Sequence, residues 1–432
     1  MRELIHRDQL KGHKVAVVGA GRSGLAAASL ALALGARVRI LEKNPDDSIK
    51  KAVSRQVPGV EYISGEHSSG QFAGMNMVIL SPGIPMGRIK PLLYPDTALY
   101  SELELASWFV HEPVAAVTGT NGKTTTVLLV AHVLEKCGKK VFAGGNLGTP
   151  LSSYVLGESR ADILVLEVSS FQLQACSGFR PQVGVLLNFS ANHLDHHESS
   201  EEYFQAKTRL FASQRGNDLA ILPLELKEKM EGSGLLQGRR AYFTAAGGFA
   251  CPALTGRHNQ ANLEAAWLVC RYFGIDNEQF ARAITDFEPP AHRQEVFLKT
   301  RGVTFVNDSK ATTPAAMGAA LEAFPHPVRL LAGGLNKGAR YKHLAPLVRE
   351  KVSKVYLFGQ SRDVFEQDWA KITDMDYSST LEEAVAKALS DSGSGDTVLL
   401  SPGTSSFDQF KNYEHRGNRF KELVRETLKQ GS

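Results

Sequence analysis

Residues 114–125, Val-Ala-Ala-Val-Thr-Gly-Thr-Asn-Gly-Lys-Thr-Thr, constrain the fold more than any other stretch, because an apolar strand runs directly into a glycine-rich turn ending in Lys-Thr. That order belongs to an α/β sheet with a phosphate cradle at a strand tip. Gly119 and Gly122 let the backbone curl so that N–H groups face inward, around Thr120 and Asn121. Lys123 brings a charge for β- and γ-phosphates, and Thr124, followed by Thr125, offers a hydroxyl to Mg²⁺ at the start of the next helix. Val117 occupies the first glycine position of G-x-x-x-x-G-K-[ST], so the loop is a variant of that pattern. An ordinary strand-to-helix turn is the plainer reading, and the Lys-Thr opening of the helix argues against it.

A chain of 432 residues exceeds one ordinary core and, at ~150 residues per domain, divides into about three. Apolar strands at 14–19 and 37–42 flank an alanine-rich helix at 23–34, with Gly19-x-Gly21-x-x-Gly24 at the first turn. Alone, this unit suggests a dinucleotide site with Glu42 on a ribose. A strand at 77–80 ends in Ser81-Pro82-Gly83, and Ser101 caps a helix that opens Glu-Leu-Glu-Leu, which sets a first domain at 1–102. Short apolar runs at 141–143, 162–167 and 183–187 read as strands of a buried parallel sheet. Ser199 with Glu202 forms a capping box for a helix to Phe211, residues 214–251 carry no clear period and stay unassigned, and 259–273 is a helix. Pro289-Pro290 closes this second domain, 103–290.

Strands at 303–306, 328–332, 354–358 and 397–400 then alternate with helices in a third domain, 291–432. Val78-Ile-Leu-Ser-Pro-Gly and Val398-Leu-Leu-Ser-Pro-Gly echo one another at strand ends of the outer domains. The expected fold is α/β, a central P-loop ATPase-like parallel-sheet domain flanked by two Rossmann-like domains.

A net charge of +4 with no dense Lys/Arg block gives no nucleic-acid signature. The first ten residues lack an apolar core and the longest apolar run, near 25–34, is too short for a bilayer, so neither a signal peptide nor membrane insertion is expected. Cys137, Cys176, Cys251 and Cys270 show no metal-ligand spacing and read as reduced thiols of a cytosolic protein.

Chemistry-bearing residues cluster after strands, where open α/β sheets bind ligands. Glu167 ends a strand in the cradle's own sheet, where a partner for Mg²⁺ is needed, and Asn146 follows another strand tip. His193, Asp195, His196 and His197 crowd one loop; without cysteines or an H-E-x-x-H pattern, His193 suits a hard metal or polar substrate better than zinc. Lys207 by itself reads as an exposed helix lysine. His292-Arg293, Asn307-Asp308-Ser-Lys310-Ala-Thr312, Gly333-Gly-Leu-Asn-Lys337 and Ser405-Ser406-Phe407 follow one another through the third domain.

Together these motifs resemble the Mur ligase family over the whole chain. Asn307-Asp-Ser-Lys-Ala-Thr and Ser406-Phe-Asp-Gln-Phe-Lys-Asn-Tyr413 are the parts most specific to its D-glutamate-adding member. The resemblance implies ATP-dependent ligation of D-glutamate to UDP-N-acetylmuramoyl-L-alanine through an acyl phosphate, in a cytoplasmic monomer. It replaces the NAD reading: Gly19, Gly21, Ser23, Gly24, Glu42, Ser81, Asn146, Ser169, Gln172 and His193 are expected on the UDP substrate. It assigns Asn259, Asn262, His292, Arg293, Asp308 and Lys310 to ATP beside the cradle, and Thr312, Lys337, Ser406, Phe407 and Tyr413 to D-glutamate. Lys123, Glu167, His193 and Lys207 are the expected catalytic set. Two Mg²⁺ sites are implied, on Thr124, Glu167 and His193, with Lys207 as a carbamate. Relatives usually carry an acid before this histidine, where Asn192 stands here. A ligase of another amino acid, or one extending folate with glutamate, is the nearest alternative; an NAD-dependent oxidoreductase leaves Lys123-Thr124 unexplained.

Overall fold

A computed structural model describes residues 9–44, 47–190, 199–254, 256–336 and 338–430. Among the described residues there are three sheets, and contacts divide the chain into two compact units, 1–249 with 261–285, and 250–260 with 286–432.

The first unit holds two sheets. Strands β1 (Lys14–Val18), β2 (Arg37–Glu42), β3 (Glu61–Ser64), β4 (Met77–Leu80) and β5 (Ala98–Ser101) form a parallel sheet in the order β3-β2-β1-β4-β5. The chain reverses direction across the sheet between β1 and β4, so a crevice opens at their C-terminal tips. β1 is buried on both faces, Val15 and Val17 in one core and Ala16 and Val18 in another, which is why it reads as an unbroken apolar run. The helix Arg22–Ala33 covers the sheet; its expected apolar run is buried as a helix.

Strands β6 (Val114–Thr118), β7 (Val141–Gly145), β8 (Ile163–Glu167), β9 (Val183–Leu186), β10 (Leu219–Pro223) and β11 (Arg239–Phe243) form the second sheet in the order β11-β10-β9-β6-β8-β7, parallel throughout. β10 and β11 fill the unassigned 214–251 stretch. β6 is central and wholly buried, so its tip is fixed from both sides. Ser199 caps its helix through Glu202 N–H as expected, but the Glu202 carboxylate accepts from Gln174 at 2.8 Å, and the helix ends at Thr208 before a single 3₁₀ turn to Phe211.

The join between these sheets is closely bonded. Ser101 caps the helix Glu102–Ser107, Glu102 accepts the Ser152 N–H at 2.6 Å, and the Glu104 carboxylate gathers the N–H groups of Ser177, Gly178 and Phe179 at 2.9–3.1 Å. One hydrophobic core runs from Leu10 to Leu236 through both sheets.

The second unit contains β12 (Glu295–Thr300), β13 (Val303–Asn307), β14 (Val328–Gly333), β15 (Val352–Phe358), β16 (Asp374–Tyr377) and β17 (Thr397–Leu400), ordered β12-β13-β17-β14-β15-β16. β12 was not expected and pairs antiparallel with β13 across a short turn, with a register shift between Val296 and Leu298. The other strands are parallel, with a core on each face. The two Ser-Pro-Gly echoes fall after β4 and β17, an inner strand of each sheet.

Candidate active site

At the tip of β6 the chain enters the glycine turn. Gly122, at φ 83°, is the N-cap of the helix Lys123–Lys136, and any side chain there would collide with Asn262 Oδ1. The turn is held by Asn188, just past β9. Its carboxamide oxygen accepts from the N–H groups of Thr120 (3.1 Å) and Asn121 (2.9 Å), and its amide donates to the Asn121 carbonyl at 3.1 Å. Two of the N–H groups expected to face inward are therefore already bonded. The first-turn N–H groups of the helix remain the natural anion donors. Sequence reasoning passed over Asn188, and its only signal was an asparagine directly after a buried strand.

Lys123 curls onto its own loop, its Nζ donating to the carbonyls of Gly119 (2.9 Å) and Thr120 (2.8 Å). Thr124 donates its hydroxyl to Glu167 Oε2 at 2.6 Å, and Asn146 donates its amide to Oε1 at 2.6 Å. Glu167 is buried at the tip of β8, next to β6.

Lys207 is not the exposed lysine its local sequence suggests: it is 1% exposed, on the helix Ser200–Thr208. Its Nζ donates to the Gly119 carbonyl at 2.8 Å and lies 4.5 Å from the centre of the Tyr203 ring. Burial, reinforced by the Lys123 charge and opposed by Glu167, holds its pKa well below that of an ordinary lysine. One carbonyl thus receives both lysines.

A cleft of ≈ 610 Å³ lies at the tips of β1, β2 and β4, lined by Gly19, Gly21, Ser23, Glu42, Ser81 and Asn146 among others. Glu42 Oε2 accepts the Ala20 N–H at 2.8 Å and Oε1 the Asn44 N–H at 3.0 Å. The Ser81 hydroxyl donates to the Gly19 carbonyl at 3.0 Å, and a side chain on Gly24 would clash with that same carbonyl. Ser169 and Gln172 form a capping box for the helix Ser170–Gln174. His193 lies outside the described residues.

In the second unit, Asp308 follows β13, 4% exposed. Its oxygens accept from Ser401 Oγ (2.8 Å) and the Gln294 N–H (3.1 Å). Burial raises its pKa to about 7 despite those bonds and the charges of Arg293 and Arg416. His292, at φ 64°, contacts Asn307 Nδ2 through Nδ1 at 2.9 Å, and burial lowers its pKa. Lys310 sits 5.4 Å from the centre of the Tyr413 ring. The Arg416 guanidinium, fully buried, donates to Ser309 Oγ and to the carbonyls of Ser309, Thr404 and Ser405, tying the loops after β13 and β17. Thr312 is exposed, Ser406 is buried and Phe407 is 63% exposed. Lys337 lies outside the described residues. Asn262 belongs to the first unit with the cradle, whereas Asn259, also buried, falls in the second.

Three family models match the chain: the MurD-like N-terminal domain of Mur ligases at 13–92, the Mur ligase middle domain at 117–250 and the Mur ligase glutamate ligase domain at 292–403. The chain belongs to the Mur ligase family. Within it, a UDP-N-acetylmuramoylalanine–D-glutamate ligase of Nitratidesulfovibrio vulgaris is 49% identical over 422 residues, 96% of each chain. Another of the same name, from Oleidesulfovibrio alaskensis, is 48% identical over 420 residues, 96% of this chain and 94% of that one. Among solved structures, a Mur ligase from Thermotoga maritima, MurF in complex with ADP, aligns over 100% of both chains with a TM-score of 0.61 at 19% identity, a likeness of fold.

Thr124 and Glu167 present a hydroxyl and a carboxylate within 2.6 Å of each other, an oxygen pair that suits Mg²⁺, which takes few protein ligands. Among the described residues no group of three or more His, Cys, Asp or Glu could hold a metal.

Proposed function

We propose that this Mur ligase is an ATP-dependent amide ligase that joins D-glutamate to UDP-N-acetylmuramoyl-L-alanine in peptidoglycan precursor synthesis. The relatives of that name, at up to 49% identity over nearly the full length, support the substrate pair. The observation that carries the chemistry is the meeting of Lys123, Thr124, Glu167 and Lys207 around the Gly119 turn.

A carboxylate is a poor acyl donor, so the γ-phosphoryl group of ATP is transferred to the alanyl carboxylate, and the amine of D-glutamate then attacks the acyl phosphate and expels phosphate. Two anions must approach in the first step, so charge neutralisation dominates. Lys123 supplies a mobile cation, since its two carbonyl contacts can be exchanged for phosphate oxygens. Thr124 and Glu167 would hold Mg²⁺, which adds positive charge at the phosphates when bound. Asn146 fixes one oxygen of Glu167 and leaves the other toward Thr124. Lys207, kept toward its neutral amine, is suited to carbamylation, because only the neutral form reacts with CO₂ and the product N–H can still donate to Gly119. As a carbamate it would hold a second Mg²⁺ together with His193.

The same reading assigns residues 1–102 to the UDP substrate, 103–290 to ATP and 291–432 to D-glutamate and the nucleotide. Asn259, Asn262, His292, Arg293, Asp308 and Lys310 are assigned to ATP, and Thr312, Lys337, Ser406, Phe407 and Tyr413 to D-glutamate. A cytoplasmic setting accords with four free cysteines, and no helix among the described residues is long and apolar enough to cross a membrane. We take the enzyme to be a monomer, which light scattering tests. Phosphate release from ATP, measured with UDP-N-acetylmuramoyl-L-alanine and D-glutamate, L-glutamate, L-lysine or no amine, tests the reaction. D-glutamate alone should sustain turnover; strict dependence on another amine would sink the assignment.

A further inference from the structure

We propose that Arg22 is a binding and positioning residue of the cleft at the tips of β1, β2 and β4, supplying positive charge to a diphosphate and holding the Asn146 loop in register. The proposal rests on reading that cleft as the UDP site.

The cleft's cationic walls are Arg22, Lys43, Arg88 and His67. Lys43 is neutralised by Glu66 at 2.7 Å, and burial lowers the pKa of His67, so two arginines are left to meet an anion. Arg22 is the better situated. It opens the helix Arg22–Ala33, whose N-cap Gly21 provides no side-chain cap and whose first turn holds no acid. Gly21 and Arg22 both line the cleft, so guanidinium and helix N-terminus each favour an anion within it. Arg22 is exposed and uses one donor, Nη1, on the Gly148 carbonyl at 2.9 Å; its other donors have no partner among the described residues. A planar fork with donors to spare is what bidentate phosphate recognition requires.

The occupied donor matters equally. Arg22 and Gly148 are 126 positions apart, and their bond joins the glycine turn of the first sheet to the loop after β7 of the second. In that loop Asn146 N–H donates to the Glu167 carbonyl at 2.9 Å and Asn146 Nδ2 to Glu167 Oε1 at 2.6 Å, while Glu167 Oε2 accepts from Thr124. Arg22 is thus the first link of a bonded chain that ends at the hydroxyl of the phosphate cradle. Removing it takes charge from the cleft and slackens the loop that orients Glu167.

Binding of UDP to the full chain, followed by calorimetry at low and high salt, tests this with Arg22→Leu and Arg22→Lys. Arg22→Leu should weaken UDP by about tenfold to a hundredfold, the loss expected when a hydrogen bond to a charged group is removed, and should flatten the salt dependence. Arg22→Lys should recover the salt dependence and only part of the affinity, because the fork is gone. With nucleotide-sugar saturating, the Mg²⁺ concentration for half-maximal turnover should rise in Arg22→Leu. UDP affinity within twofold of wild type in Arg22→Leu overturns the proposal. So does an equal loss of affinity for UDP and a non-hydrolysable ATP analogue with a lowered melting temperature, which would mark a merely structural role. If the wild type binds no UDP, the cleft reading itself fails, and the proposal with it.

Discussion

Lys207 in the first unit and Asp308 in the second are both ionisable groups buried near a strand tip, at 1% and 4% exposure, and burial moves each toward its neutral form. They differ in what surrounds them. Asp308 accepts from the Ser401 hydroxyl and the Gln294 N–H, bonds that favour the anion, so its pKa stops at about 7 and it titrates near neutrality. Lys207 donates to one backbone carbonyl and faces a second lysine, so burial and repulsion act together. The same desolvation therefore acts on an acid held by hydrogen bonds in one unit and, in the other, on an amine pushed further toward its neutral form by a neighbouring lysine. Neighbours decide which, more than depth does.

The harshest way to break the comparison is Lys207→Ala, which should lower phosphate release by about 10²–10³-fold. Short carboxylic acids should restore part of it by standing in for a carbamate, and Lys207→Arg should not, since a guanidinium stays charged. Full activity in the alanine variant, or no rescue by any acid, would remove the carbamate. Glu167→Gln should raise the half-saturating Mg²⁺ by about 10–100-fold while leaving the pH profile in place, and a magnesium titration at two pH values separates the two effects.

Asp308 gives a test of sign. Its pKa is near 3.8 in the unfolded chain and about 7 in the fold, so the folded state binds the proton more tightly. That stability is fully present below about pH 4, declines as pH rises toward 7, and then stays lost. Asp308→Asn cannot ionise and should be the more stable protein at pH 8, by up to ~4 kcal/mol, with the gain vanishing near pH 4 in denaturant titrations. Should the variant be weakened equally at both pH values, Asp308 is ionised throughout and the contrast with Lys207 collapses. Ser401→Ala makes the smallest change, about 1 kcal/mol for one hydrogen bond, and should shift the pKa of Asp308 upward, as read by carboxyl titration.

Much of this was legible along the chain because it is local. Gly119, Gly122 and Lys123 declare a strand-to-helix turn within a few residues, and Glu167 and Asp308 stand where a strand ends. The environments were not local. Asn188 reaches back 67 positions to Asn121, and Ser401 reaches 93 to Asp308, so nothing beside either residue announces its partner. The burial of Lys207 follows from the helix lying across the cradle, which spacing alone does not reveal. The edge strands β11 and β12 are half exposed, and their mixed patterns hid them from periodicity, whereas the fully buried β10 was obscured by the glycine-rich stretch around it.

The bonded join between the two sheets of the first unit bears on how that unit comes apart. A cut after residue 102 would strip the Glu102–Ser107 helix of its Ser101 cap and the Glu102 carboxylate of the Ser152 N–H, and would open a hydrophobic core that extends from Leu10 to Leu236. Neither half is then an independent folding piece. In a scanning calorimeter the two sheets should melt as a single endotherm, and proteolysis under native conditions should release them together, so the cleft at the tips of β1, β2 and β4 and the glycine turn after β6 are gained and lost as one cooperative block.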